Sequence, residues 1–251
     1  MHTTNYWIGH FRENAGQKRV NWNKGPGITA NEIASVLSSL QAWQLGETSE
    51  GKHLIAASEK YANKIADPHY VDAIKLFIKE EQKHGNNLGM YLDLISKPRI
   101  KQNWGDTLFR KVRYFNTSME LWTLAVITVE STAQLFYQAL KDATGCPLLK
   151  EICTDILIDE AYHITFQTER LAMIFEPKSE FSKAWRGIAY RYFFHATACL
   201  VWFAHRQLFK AGGMSFEKYC RKMGYKYKRT IKAITAVPIN VKPEISIKYG
   251  Y

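Results

Sequence analysis

The amino-acid sequence predicts an all-α protein: a four-helix bundle with one long crossover, followed by additional C-terminal helices. Three observations carry this. Apolar residues recur at intervals of three and four, and no stretch alternates as a strand does. Helix start and stop signals cut the chain into long segments. The links between the first and second segments and between the third and fourth are short, whereas nearly twenty residues separate the second from the third. That pattern gives two antiparallel helix pairs joined by a crossover.

The elements follow in order. Residues 1–28 hold Gly25-Pro26-Gly27 and scattered aromatics, and read as an irregular arm. Thr29-Ala30-Asn31-Glu32 is a capping box that opens the first bundle helix, predicted over 29–66. Asp67-Pro68 reads as an N-cap with proline at the first helical position; the second helix runs to about 96, before Pro98. A short helix is expected near 107–114 within the crossover. Thr117-Ser118-Met119-Glu120 is a second capping box, and the third helix runs to about 143, with Gly145 as its stop. Pro147 opens the fourth helix, which ends near 175 before Pro177. A fifth spans about 178–210 and stops at Gly212-Gly213; shorter basic helices follow. The expected organisation is an arm (1–28), one helical domain (29–236, with the bundle at 29–176 and added helices at 178–236) and a tail (237–251) marked by Pro238 and Pro243.

Composition excludes several classes. With 46% apolar and 23% charged residues in 251, the chain is neither disordered nor a disulfide-stapled miniature. The longest apolar run, near 192–203, is too short and too polar to span a membrane. The N-terminus has no basic region followed by an apolar one, so no secretory signal is read. Cys146, Cys153, Cys199 and Cys220 form no CxxC pair and suit buried thiols in a reducing compartment; a cytoplasmic location is expected. The net charge of +11 lies entirely within 181–232, which holds twelve bases and one acid, Glu217. Such a segment suits an acidic partner, a nucleic acid or a membrane face, or simply keeps the protein in solution.

The chemistry-bearing signal is Glu81-x-x-His84 on the second helix and Glu160-x-x-His163 on the fourth. A spacing of three puts both side chains on one helix face. With sixteen Glu and eight His in the chain, chance supplies about half of one such match. Two copies at equal distance from Pro68 and Pro147 exceed that. Both pairs sit in apolar stripes: Ile74, Phe77, Leu88 and Tyr91 on one helix, and Ile152, Ile156, Gln167 and Leu171 on the other. A buried carboxylate needs compensation, and a divalent metal provides it; imidazole with carboxylate suits iron or manganese. Glu130 is the acid at the middle of the third helix. On the first helix the stripe passes through Glu47. Glu50 lies off its centre but makes a third Glu-x-x-His with His53, so Glu47 is chosen with Glu50 as the alternative. One Glu from each of two helices plus a Glu-x-x-His from each of the others is the dimetal plan of ferritin-like bundles. Asp159 and Glu80 each precede a ligand glutamate. From there each can accept the second imidazole N–H across the bundle, although Glu80 is equally readable as solvated. His195 and His205 read as core or interface residues. Phe77, Tyr91, Phe136 and Tyr137 are near enough to line a cavity but receive no role.

These residues resemble the ferritin-like diiron carboxylate superfamily. Glu80-Glu81-Gln82-Lys83-His84-Gly85 through Leu88, Tyr91 and Leu92 is similar to a stretch of the soluble acyl-carrier-protein desaturases. Asp159-Glu160-Ala161-Tyr162-His163 resembles their D-E-x-x-H, and Gly46-Glu47-Thr48 resembles the start of the first ligand helix in rubrerythrins. The resemblance covers about 33–175. It departs at Ala133, where those desaturases carry threonine. It implies two iron ions, or manganese with iron, and an O₂-dependent oxidase, oxygenase or desaturase acting on an apolar substrate, carrier-bound or free. The alternative is a ferritin-like metal-binding or iron-handling protein with no organic substrate. The partners implied are O₂, an external electron donor and an acidic acyl carrier protein. A homodimer is compatible with the sequence, and a nucleic acid is disfavoured.

Overall fold

The computed structural model describes residues 1–105, 107 and 118–235; the tail and the short helix expected near 107–114 lie outside them, apart from residue 107. Among the described residues all regular structure is helical. Four segments build the bundle. The first side is split in two, α2 (Ala30–Glu47) and α3 (Lys52–Ile65). The others are α4 (Tyr70–Leu94), α5 (Met119–Asp142) and α6 (Pro147–Phe175). An N-terminal α1 (Thr4–Ala15) precedes them; α7 (Glu180–Ala211) and α8 (Phe216–Thr235) follow. Helices α2 and α3 lie on α4, and α5 pairs with α6; α1 packs on α4, α7 on α5 and α2, and α8 on α6 and α7. No helix among the described residues is long and apolar enough to cross a membrane.

Local chemistry sets most boundaries. Thr29 and Glu32 form the expected reciprocal cap, and Pro147 occupies the first turn of α6. Gly212 caps α7, which kinks at His205. All four cysteines are free thiols.

Several expectations are corrected. The arm is not irregular. Thr3 caps α1, and Trp7, Ile8, Phe11 and Asn14 bury one face of it, with Phe11 packed on Phe77 and Phe166. Asp67 is not the cap of α4, which begins at Tyr70 after His69. Asp67 accepts from the His69 backbone N–H (3.1 Å) and the Thr4 hydroxyl (2.5 Å), so it anchors the arm. Ser118 rather than Thr117 caps α5, and Thr117 lies outside the described residues. With Ser118 as the cap, Glu120 stands one residue short of the position that would close a capping box, and its carboxylate pairs with Arg186 and Lys178. Helix α5 ends at Asp142 with Ala143 as its cap, close to the expected 143, but Gly145 is not the stop: its N–H donates to Glu32 Oε1 (2.5 Å). Among the described residues one basic helix, α8, stands where several were expected.

The correction with consequences is the break between α2 and α3. Gly51 sits at φ 65°, and a Cβ there would come within 2.5 Å of Ile78 Cδ1. Only glycine fits both demands. The break ends α2 at Glu47. Opposite it, Gly85 lets the chains approach: a Cβ at that position would meet Glu47 Cβ at 3.1 Å. The absence of a side chain beside His84 therefore brings Glu47 up to α4.

Candidate metal centre

Each side of the bundle projects carboxylates or imidazoles to one point. Glu47 comes from the end of α2, Glu81 and His84 from α4, Glu130 from α5, and Glu160 and His163 from α6. Their atoms form two overlapping groups, Glu47–Glu81–His84–Glu160 and Glu81–Glu130–Glu160–His163, with the atoms of each all within 4.8 Å of one another. Glu81 and Glu160 belong to both. His84, Glu160 and His163 are fully buried and Glu130 nearly so. All six residues selected from the sequence are thus brought together. Glu50 is not: it is exposed and pairs with Lys52.

Helices α4 and α6 run antiparallel here, so each imidazole reaches the acid preceding the facing glutamate. His84 Nε2–H donates to Asp159 Oδ2 (3.0 Å), and His163 Nε2–H donates to Glu80 Oε2 (2.7 Å). The acids thereby fix the tautomer and leave each Nδ1 bare toward the centre. His163 Nδ1 lies 2.7 Å from Glu81 Oε1, without hydrogen-bond alignment. Glu80 is buried, not solvated.

The donor set fits cations. Glu81 Oε1, His84 Nδ1, both oxygens of Glu160 and His163 Nδ1 are buried and make no hydrogen bond. Each such atom costs about 1–3 kcal/mol if left unpaired, and five converge on one point. The electrostatics agree. Burial, then the charge of Glu81, pushes Glu47 up to about 8. Burial raises Glu130, and burial with the charge of Glu130 raises Glu160 well above the carboxylate range. For His84, burial opposes protonation, but the Asp159 hydrogen bond and the Glu81 charge prevail and raise its pKa; the charge of Glu81 and the hydrogen bond to Glu80 do the same for His163. Burial also works against ionisation of Asp159, yet His84, Arg19 and Lys83 hold it well below its ordinary value. Protons hold the inner carboxylates where cations of higher charge would displace them.

Two layers of support went unseen in the motifs. Tyr137 Oη (2.7 Å) and Trp43 Nε1 (2.9 Å) both donate to Glu47 Oε1. Their spacing held the signal: Trp43 is four residues before Glu47, and Tyr137 is seven after Glu130. The second layer comes from the arm. Asn14 Nδ2 donates to Glu80 Oε1 (2.5 Å) and Asp159 Oδ1 (2.9 Å). Arg19 donates to Asn14, Asp155 and Asp159. No local pattern announces these contacts, because the partners lie 66 and 145 residues from Asn14.

A cavity of about 420 Å³ opens on the other side of the centre, between α2, α3, α4, α5 and α7. It touches Glu47, Glu81 and Glu130 but neither ligand-type histidine. Ala42, Ala125, Val126, Val129 and Val201 make its wall largely apolar. Phe77 lines it, whereas Phe136 stacks on Trp43 and Tyr91 donates to Cys146 Sγ (3.3 Å). His205 lines it too. Its Nδ1 pairs with Ser39 Oγ (3.0 Å), and burial lowers its pKa to about 4, so it is a neutral wall residue. His195 packs on Tyr227 at the surface of α7.

The position of the helix break is open to a direct test. Glu47→Ala is expected to lose one bound metal ion per chain by elemental analysis, and Glu50→Ala none. The reverse result would place the ligand on the wrong side of the break.

No protein-family model matches the chain, and no curated protein matches it. Solved structures do. R2-like ligand-binding oxidase without metal cofactor superposes with a TM-score of 0.66 and 14% identity over 93% of this chain and 97% of that chain. Two mutants of R2-like ligand-binding oxidase with Mn/Fe cofactors reconstituted anaerobically and aerobically give 0.65 and 0.64, at 13% and 15% identity, over 93% of this chain and 94% of theirs. At such identity the likeness shows the fold, which is ferritin-like. All three are oxidases of the R2-like type rather than acyl-carrier-protein desaturases.

Proposed function

We propose that the chain is a dimetal oxidoreductase, binding two iron ions or one manganese and one iron, that uses O₂ to oxidise an apolar substrate. The observation that carries this is the apolar cavity ending on Glu47, Glu81 and Glu130. An iron-storing bundle has no use for a substrate-sized apolar space beside its metals. The Mn/Fe cofactors of similarly folded oxidases support the metal assignment. Glu47, Glu81, His84 and Glu160 would hold one ion, and Glu81, Glu130, Glu160 and His163 the other. Bound there, the pair supplies the reduction of O₂ that oxidation of a C–H bond requires.

The protein's own residues do the rest. Glu81 and Glu160 belong to both ligand groups and would serve both ions. The Tyr137 and Trp43 donors pin one oxygen of Glu47 and leave the other without either bond. Asp159 and Glu80 orient the imidazoles, and Asn14 and Arg19 orient those acids. The cavity wall holds an apolar molecule beside the carboxylates and excludes water. Hydroxylation of such a molecule consumes one O₂, two electrons and two protons, and yields the alcohol and water. The electrons come from an external donor protein or small reductant.

The test uses ferrous-loaded protein and a series of alkanoic acids as apolar probes. Wild type is expected to bind a probe and hold two metal ions. Ala125→Trp, which fills the cavity, is expected to retain both ions and lose at least tenfold in probe affinity. Failure of wild type to bind any probe, together with uptake of many iron ions per chain, would replace this reading with iron handling.

A further inference from the structure

Helix α7 packs on α2 and α5 along one side and on α8 along another. Its remaining side faces outward and is apolar. Phe181, Trp185, Ile188 and Tyr192 follow at intervals of four, three and four residues, which places them in one stripe. They are 86%, 64%, 52% and 73% exposed. Phe203, at 60%, extends the same side, so the face runs about 30 Å along the helix, and Leu200, at 43%, lies on its flank. Large aromatic and branched side chains at this density are not the scattered apolar residues of an ordinary surface.

The surroundings are mainly basic, with Glu180, paired to Lys183, and Glu217 as the exposed acids of the two helices. Arg191, Arg206 and Lys210 on α7, and Lys218, Arg221, Lys222 and Lys228 on α8, are all exposed. Residues 181–232 hold twelve bases against the single acid Glu217. We propose that this face docks the protein on an anionic membrane surface, with α7 lying in the interfacial plane and the bases of α8 beside it at the headgroups. Apolar burial and attraction to anionic lipid act together in such helices, and Trp and Tyr favour that depth.

Charge decides against a second copy as the occupant. A two-fold contact through α7 sets the same patch against itself and brings two strongly basic segments together. A bilayer edge of opposite charge meets no such opposition. A helix of this composition lies on the membrane and does not cross it. Leu200 lies between this face and the cavity, is exposed and is part of the cavity wall, and Trp104, 60% exposed, also lines the cavity. An apolar molecule dissolved in the bilayer would therefore reach the cavity without crossing water; this last link rests on the proposed function, whereas the docking does not.

Co-sedimentation with vesicles tests it. Full-length wild type is expected to pellet with phosphatidylglycerol–phosphatidylcholine vesicles and to bind pure phosphatidylcholine vesicles at least tenfold more weakly. Trp185→Glu with Ile188→Glu is expected to lower binding to the anionic vesicles at least tenfold, with helix content and metal content unchanged because both residues are exposed. Arg221→Glu with Lys222→Glu is expected to weaken binding and flatten its salt dependence. No pelleting of wild type with anionic vesicles overturns the proposal. So does equal binding by the apolar double variant, which would leave a charge-only surface for nucleic acid or an acidic acyl carrier protein. A dimer in solution that dissociates on Trp185→Glu while vesicles stay unbound would assign the face to a second copy.

Discussion

Loss of both metal ions from one substitution is the expected result for Glu160→Ala. Glu160 belongs to both ligand groups, and both of its oxygens are buried without a hydrogen-bond partner. No donor among the described residues uses them, so their removal takes a ligand from each ion at once. His84 and His163 each belong to one group only. Their replacement by Ala is expected to leave one ion in place, disturbed but present. Elemental analysis after ferrous reconstitution reads the difference: two ions per chain in wild type, about one in either histidine variant and close to none in Glu160→Ala. Circular dichroism of the Glu160 variant should stay helical, because the change also removes an unpaired buried acid, whose desolvation is unfavourable. Retention of two ions by Glu160→Ala would separate the groups into independent sites. Absence of any transition metal from reconstituted wild type would end the dimetal reading.

Removing the metals should invert the usual response of stability to pH. Glu47 titrates at about 8 in the fold against 4.5 when free, and burial also raises Glu130 and Glu160. An acid whose folded pKa is raised binds more protons in the native state than in the unfolded state over that interval. Stability then falls as pH rises through the interval, each such acid contributing about 1.4 kcal/mol per pH unit. Raised values for His84 and His163 act in the same direction above their ordinary value. The depressed Asp159 acts oppositely, but only below its own ordinary value, outside this window; His205 and His10, whose pKa values burial lowers, act oppositely only below their ordinary value of 6.5 and offset part of the loss there. Urea unfolding of chelator-stripped protein should therefore show a loss of several kcal/mol between about pH 5 and about pH 8. Metal-loaded protein should show the opposite slope, because cations compete with protons for the same oxygens. Equal stability of the stripped protein at both pH values would show that the carboxylates are not crowded and desolvated as the fold implies.

The same crowding explains how much of the centre is legible in the chain. Glu81 with His84, and Glu160 with His163, are each set by three residues of separation on a regular helix. That relation needs no tertiary information, and neither do the capping box at Thr29 and the proline that opens α6. Glu130 is the sole acid in the middle of its helix, so its inward direction follows from periodicity. Glu47 could be preferred over Glu50 by stripe alone, but what separates them is the break at Gly51. That break depends on Ile78, a residue of another helix.

Spacing and composition were enough for the helical class, the bundle order, the paired Glu-x-x-His faces and the confinement of positive charge to 181–232, because each is a property of one segment. The three-dimensional fold was needed to show that residues 1–28 form a helix and an arm whose Asn14 and Arg19 brace the acids behind both imidazoles. It was needed also for the clamp of Tyr137 and Trp43 on Glu47 and for the apolar space on one side of the carboxylates. The reason is physical. Hydrogen bonds across the bundle and the volume left between helices depend on interhelical distance and rotation. Those are settled by packing, by residues such as Gly51 and Gly85 whose missing side chains let backbones approach, and not by the pattern of any one helix.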